Sequence, residues 1–424
     1  MELLASRGAQ VQHFYGAARF PSCQTTKRVT GQGSRHLDTW LMPRELCCEL
    51  FLRAAGAADV AVVEGHYAPC DAQDVPPSDL TQLAEWLDLP RIGVLDVRRL
   101  SDCRLGNAPP ELDALLLDGI ENCRQLSAHQ TNLEALWSVP VIGGMEPLEA
   151  LRAELRSLGP TARPPDGPLA EMAASLAKFT PVDRIMRLAQ RKTRVELRRP
   201  QLNRRKRLPS LRIAVAYDEA LGCYFPETLE LLEQWGAEIV DFSPLRDEVL
   251  PTGCDIVYLG CGDIQRHASA LSENMCMAAS LRNHAFSGRR ILAEGAGAAY
   301  LCQQAEMDDG RLVPLVGLLP TIARCDSRSR RGRPVEAQLA ANCWMGAAAT
   351  PVRGYRDTCW RFEQAADVTE LVKCDNEPAD IVAHAGVIAS RLHLHLPAQR
   401  HLLERIFRPH KPTDVRGDVR AATW

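Results

Sequence analysis

Short apolar runs alternate with amphipathic stretches along almost the whole chain, and the alternation starts twice. In the first half the runs fall at residues 11–15, 59–64, 91–97, 114–117 and 139–142, with amphipathic segments at 43–57 and 79–87 between them. In the second half they fall at 211–217, 238–242, 255–259 and 290–294, with helical segments at 228–235 and 269–286. Near-continuous apolar strands are buried on both faces, and parallel neighbours need a helical crossover between them. The pattern therefore restricts the chain to an α/β class with parallel sheets covered by helices. Later runs, at 313–318, 352–360 and 387–396, are more mixed.

The restart lies beyond a turn-rich break. Gly159-Pro160-Thr161-Ala162-Arg163-Pro164-Pro165-Asp166-Gly167-Pro168 interrupts the pattern, and a helical stretch from 169 to about 197 follows. A basic run, Arg198 to Arg207, comes next; no aromatic residue interleaves its charges, so it reads as a solvated linker and not as a nucleic-acid patch. The expected division is 1–197, a linker at 198–210, and 211–424. Net charge is −3, which gives no global attraction to nucleic acid or anionic lipid. No apolar run approaches the roughly 18 residues of a membrane span, and the first residues lack the apolar core of a signal peptide. The 15 cysteines include no C-x-x-C pair. They read as small buried hydrophobes of a reducing cytoplasm, not as zinc or redox ligands.

Three local patterns bear on chemistry. Residues 59–65 form an apolar strand ending in Glu64 and Gly65, with Asp71 in the following loop. Carboxylates so placed reach Mg²⁺ on bound phosphates; they serve equally as a polar strand end. Gly31-Gln32-Gly33-Ser34 lacks the lysine and spacing of a phosphate loop, and Gly260-Cys261-Gly262 lacks the third glycine of a dinucleotide fingerprint. Arg290 through Leu301 reads as strand, tight turn and helix, the layout of a nucleophile elbow. Its elbow position is Gly295, which carries no nucleophile.

Taken together, these stretches resemble the cobyrinic acid a,c-diamide synthase family, glutamine-dependent amidoligases of cobalamin biosynthesis. The resemblance rests on Ala214 to Ala220 with Cys223 to Leu232, on Phe242 to Glu248, on Tyr258-Leu259-Gly260-Cys261-Gly262, and on Ser390-Arg391-Leu392-His393-Leu394-His395. In the first half it rests on Thr30 to Asp38, Val62 to Gly65 and Leu83 to Pro90. It implies an N-terminal P-loop-NTPase-like (dethiobiotin-synthetase-like) parallel-sheet domain and a C-terminal class I glutamine-amidotransferase-like domain. It also implies Mg²⁺ and ATP as cofactors, with Glu64 and Asp71 matching the family's acidic motif for both.

The departures from the family pattern fall on chemical positions. The family's elbow reads E-C-G-G, and Gly295 stands where its cysteine would be. The family's partner histidine lies in G-H-E-F-H-Y-S; the matching segment is Gly354 to Trp360, with Thr358 at the histidine position, and His393 and His395 are expected as ordinary closing-strand residues. The phosphate loop is expected to be missing, because the chain starts within the helix that follows it. In the next motif the lysine becomes Tyr15 and two aspartates become Arg19 and Ser22. Asp118 stands where an asparagine is expected.

The resulting expectation is a non-catalytic homologue in the cytoplasm, without nucleophile, partner histidine or phosphate loop. The alternatives are an ammonia-dependent corrin amidoligase that still binds ATP, or a tetrapyrrole-binding partner subunit of an active synthase. The expected partners are a corrin or other tetrapyrrole, a second copy of the chain, or an active paralogue; nucleic acid and membrane are not expected. If the start codon is placed too late, an upstream extension would restore the phosphate loop but not Gly295, Thr358, Arg19 or Ser22.

Overall fold

The protein was analysed as a computed structural model. It describes residues 1–18, 23–65, 78–100, 111–158, 161–190, 195, 202, 211–326, 333–357, 359–363, 367–374 and 377–409.

In the first half, Val11–Tyr15 is the middle strand of a parallel set, with Arg35–His36 on one side and Val60–Glu64 on the other. All five of its residues are buried, and the two polar ones, Gln12 and His13, are hydrogen-bonded there. The helix Arg44–Ala55 provides the crossover to Val60–Glu64. A second parallel set has Ala114–Asp118 between Ile92–Asp96 and Val141–Met145. Its crossover helix, Cys123–Trp137, starts where the Asn122 side chain accepts the Gln125 N–H. The outer strand Ile92–Asp96 leaves Ile92 and Val94 exposed, so this edge is not covered on both faces as expected.

Two long helical stretches are each divided. The expected helix from 169 is two helices, Asp166–Phe179 and Val182–Ala189, because Pro181 cannot continue the hydrogen-bond ladder. The stretch 269–286 belongs to Ile264–Glu273 and Met275–Phe286. Asn274 sits between them, and its side chain caps the second by accepting the Met277 N–H.

The second half is built on a seven-stranded sheet. Its order is Thr369–Val372, Ile381–His384, Val387–Ser390, Arg290–Glu294, Ile256–Leu259, Arg212–Ala216, Glu238–Phe242. The last five run parallel and the first two are antiparallel additions at one edge. Arg290–Glu294 and Ile256–Leu259 thus lie side by side near the middle, so whatever follows them meets at one end of the sheet. A smaller sheet, Arg333–Gln338, Pro351–Arg356 and Leu392–His393, closes over that end.

The two halves share a core. One apolar cluster contains Phe14, Leu37, Phe51 and Leu87 from the first half with Ile213, Trp235, Tyr355 and Phe407 from the second. Polar ties cross the same boundary. Asp38 is fully buried and accepts the Ala18, Trp40 and Leu41 N–H groups and, from the far half, the Tyr355 hydroxyl at 2.6 Å. Glu227 accepts the His36 N–H at 2.8 Å. Among the described residues no helix is long and apolar enough to cross a membrane.

Candidate functional site at the elbow

The strand Arg290–Glu294 ends on buried Glu294, the chain turns at Gly295, and the helix Ala296–Tyr300 begins at once. Gly295 has φ +52° and ψ −115°, a conformation that side-chain-bearing residues resist. Its N–H donates to Ser390 O at 2.8 Å, which pins the turn to the neighbouring strand. Small residues after the turn are a packing demand: a Cβ on Gly297 would lie 2.6 Å from Gly260 O. The strand–turn–helix layout expected at this place is therefore present.

The space above the turn is occupied. A Cβ on Gly295 would lie 2.2 Å from Cys261 Sγ, 2.6 Å from Asp357 Oδ2 and 3.4 Å from His393 Nε2. Cys261 is brought there by the neighbouring strand. Beyond Ile256–Leu259 the chain bends at Gly260, whose N–H donates to the buried Tyr224 hydroxyl at 2.9 Å. Cys261–Gly262 then pairs antiparallel with Leu221–Cys223. Asp357 follows the strand Pro351–Arg356, and its N–H donates to Arg391 O at 2.6 Å. His393 stands opposite Tyr355 in the strand Leu392–His393.

These side chains form one compact group. Cys261 Sγ is 3.1 Å from His393 Nε2 and 3.8 Å from Asp357 Oδ2, and the last two atoms are 3.6 Å apart. Cys261 is buried; the Asp357 and His393 side chains are each 12% exposed, so solvent reaches one side of the group. Burial opposes ionisation of Asp357. The His393 hydrogen bond and charge, the Cys359 N–H and Arg391 outweigh it and hold the carboxyl below its ordinary range. Behind the turn, burial pushes the Glu294 carboxyl up to about 7 against His393, the Tyr258 hydroxyl and the Leu394 N–H.

The ring next to the elbow is thus His393, which as an ordinary closing-strand residue would have had no part in the site. Thr358 lies outside the described residues. The sequence placed Cys261 and His393 within family-like stretches but gave no sign that they converge with Asp357. Asp357 and His393 lie 96 and 132 residues beyond Cys261 along the chain, and no spacing rule connects such positions.

The expected nucleotide residues are differently engaged. Glu64 Oε2 lies 3.2 Å from Nε2 of buried His13, whose Nδ1 meets Ser34 Oγ at 3.0 Å. Asp71, Arg19 and Ser22 lie outside the described residues. Asp118 is held by both terminal nitrogens of Arg152, at 2.7 and 2.5 Å. Tyr15 is buried with its hydroxyl 3.3 Å from Thr26 Oγ1. Among the described residues, then, Glu64 meets a histidine with its side chain still 61% exposed, and Asp118 is paired with an arginine.

Comparison with known proteins gives a consistent picture. Residues 212–400 match the CobB/CobQ-like glutamine amidotransferase domain. The cobyrinate a,c-diamide synthase of Picrophilus torridus is 26% identical over 393 residues, covering 90% of this chain and 87% of that protein. The enzyme of the same name from Salmonella typhimurium is 27% identical over 369 residues, covering 84% and 80%. That from Syntrophotalea carbinolica is 29% identical over 370 residues, covering 83% and 80%. Among solved structures, a glutamine amidotransferase aligns with 46% of this chain and 97% of its own, at 17% identity and a TM-score of 0.36.

Proposed function

We propose that this chain, a member of the cobyrinate a,c-diamide synthase family by sequence, keeps the family's fold without hydrolysing glutamine at its elbow. The observation that carries this reading is the filled space at Gly295. A thioester requires a thiol on the elbow residue, presented to substrate. Here the residue has no side chain, and the Cys261 sulfur and the Asp357 carboxylate lie where one would emerge.

The reading extends to the rest of the chain. Residues 1–197 form a dethiobiotin-synthetase-like domain, residues 198–210 a basic linker, and residues 211–424 a class I glutamine-amidotransferase-like domain. The protein works in the cytoplasm as a corrin- or tetrapyrrole-binding homologue, alone or beside an active synthase. No phosphoryl step is assigned to it.

The test is direct. Purified full-length protein is incubated with glutamine, Mg²⁺–ATP and cobyrinic acid, and glutamate and phosphate release are measured against a no-protein control. Neither is expected to exceed the control. Thermal unfolding with cobyrinic acid present should shift upward: a ligand at about 100 times its dissociation constant adds roughly 2.7 kcal/mol. Glutamate release clearly above the control would overturn the non-hydrolytic reading.

A further inference from the structure

The three side chains beside Gly295 come from three separate elements, yet they present one donor atom each to a common point. Their sulfur, oxygen and nitrogen all lie within 4.8 Å of one another. Zinc bonds of about 2.3 Å to sulfur and about 2.0–2.2 Å to nitrogen and oxygen place tetrahedral ligand atoms roughly 3.3–3.6 Å apart. The separations observed, 3.1, 3.6 and 3.8 Å, fall within about 0.5 Å of that range, a shift that side-chain torsions supply.

The arrangement is unlike a relay. In a nucleophile–histidine–acid triad the acid holds the ring nitrogen remote from the nucleophile. Here Cys261 Sγ and Asp357 Oδ2 both approach Nε2 of His393. Three donors gathered about one point are an arrangement that a metal ion can use.

We propose that Cys261, Asp357 and His393 bind a Zn²⁺ ion. The thiolate and carboxylate balance its two charges and the neutral imidazole adds none. On binding, the Cys261 thiol releases its proton to solvent and a zinc–sulfur bond forms. The fourth position is left to water or an incoming ligand, on the side where Asp357 and His393 reach the surface. The carboxylate is already oriented, since its other oxygen accepts the Cys359 N–H at 2.8 Å. Glycine at 295 is what admits the sulfur to this point. The proposal rests on the reading that no thioester forms at this elbow, but it is read out separately.

Full-length protein is stripped with a chelator, reloaded with Zn²⁺, and its metal content measured. About one equivalent is expected to be retained. Replacement by Co²⁺ should give a thiolate-to-cobalt charge-transfer band. Cys261→Ser should abolish that band, and His393→Gln should weaken metal affinity on the order of 100-fold. Removal of the exposed thiols by Cys123→Ser and Cys276→Ser should leave both signals intact. Because a substitution beside the core can unfold the chain, the wild-type protein supplies a second measurement. Zn²⁺ should protect Cys261 from alkylation, read by mass spectrometry. Failure to retain zinc, a cobalt band that survives Cys261→Ser, or a Cys261 that zinc does not protect would each overturn the proposal. Labelling of Cys261 by an electrophilic glutamine analogue in the presence of zinc would also overturn it, in favour of a relocated nucleophile. Glutamate release from protein that still holds zinc would overturn only the non-hydrolytic reading and leave the metal site standing.

Discussion

The sulfur of Cys261 stands 2.2 Å from the point at which Gly295 would carry a Cβ. The two positions therefore exclude one another: a side chain at 295 needs the sulfur gone, and the sulfur needs a glycine at 295. Restoring a nucleophile to this protein requires both positions to change and the Asp357 carboxylate, 2.6 Å from the same point, to give way.

The first prediction follows from that exclusion. Gly295→Cys alone combines a collision with a positive φ, and should lower stability by about 1–3 kcal/mol without producing glutaminase activity. Adding Cys261→Gly should recover part of the loss. The double variant should be more stable than the two single effects summed, with a coupling of about 0.5–3 kcal/mol. Urea unfolding of the four proteins gives the cycle, and strict additivity would contradict it.

A second prediction concerns Glu294. Its carboxyl titrates near 7 in the folded chain against 4.5 for an ordinary glutamate, mainly because it is fully buried. Between those values the folded state holds a proton that the unfolded state has released. Stability should therefore fall as pH rises through that window, by about 1.4 kcal/mol per unit. His284 and His395, pushed down to about 4 mainly by burial, act in the opposite direction between about 4 and 6.5. Comparing wild type with Glu294→Gln removes those shared contributions. The variant should gain on the wild type as pH rises from 4.5 to 7, by on the order of 3 kcal/mol in total. Parallel pH profiles of chemical unfolding would contradict the assignment.

A third prediction concerns the buried charges beside the strand that carries His393. Asp380 is fully buried and accepts Arg356 Nε and Nη2 at 2.6 and 2.8 Å, and Arg391 Nη1 lies 3.8 Å from it. Asp380→Asn leaves two buried guanidinium groups without their counter-charge. It should cost about 3–5 kcal/mol in urea unfolding. A loss below about 1 kcal/mol would mean that the two arginines find other acceptors.

The strands that carry the site were legible because their apolar runs are nearly continuous. Arg290–Glu294 coincides with its run and Ile256–Leu259 lies within its own, and the elbow was legible from the small residues after Glu294. Where one helix was expected and two exist, a single residue decides: Pro181 by lacking an N–H, Asn274 by capping. The gathering of Cys261, Asp357 and His393 could not be read from spacing. It depends on which strands become neighbours and on how Leu392–His393 folds back over the sheet. Likewise, nothing in the local pattern around Asp118 shows that Arg152 will take it, since the pairing depends on how the helix Glu149–Ser157 docks.

The core shared by the two halves has a consequence for inheritance. Leu37 and Phe51 lean on the same cluster as Trp235 and Tyr355, so deleting either half would strip the other of that part of its interior. Discarding the codons of one half would therefore cost the other stability. Substitutions at the elbow, which spare that interior, are the cheaper route by which such a chain can change its trade.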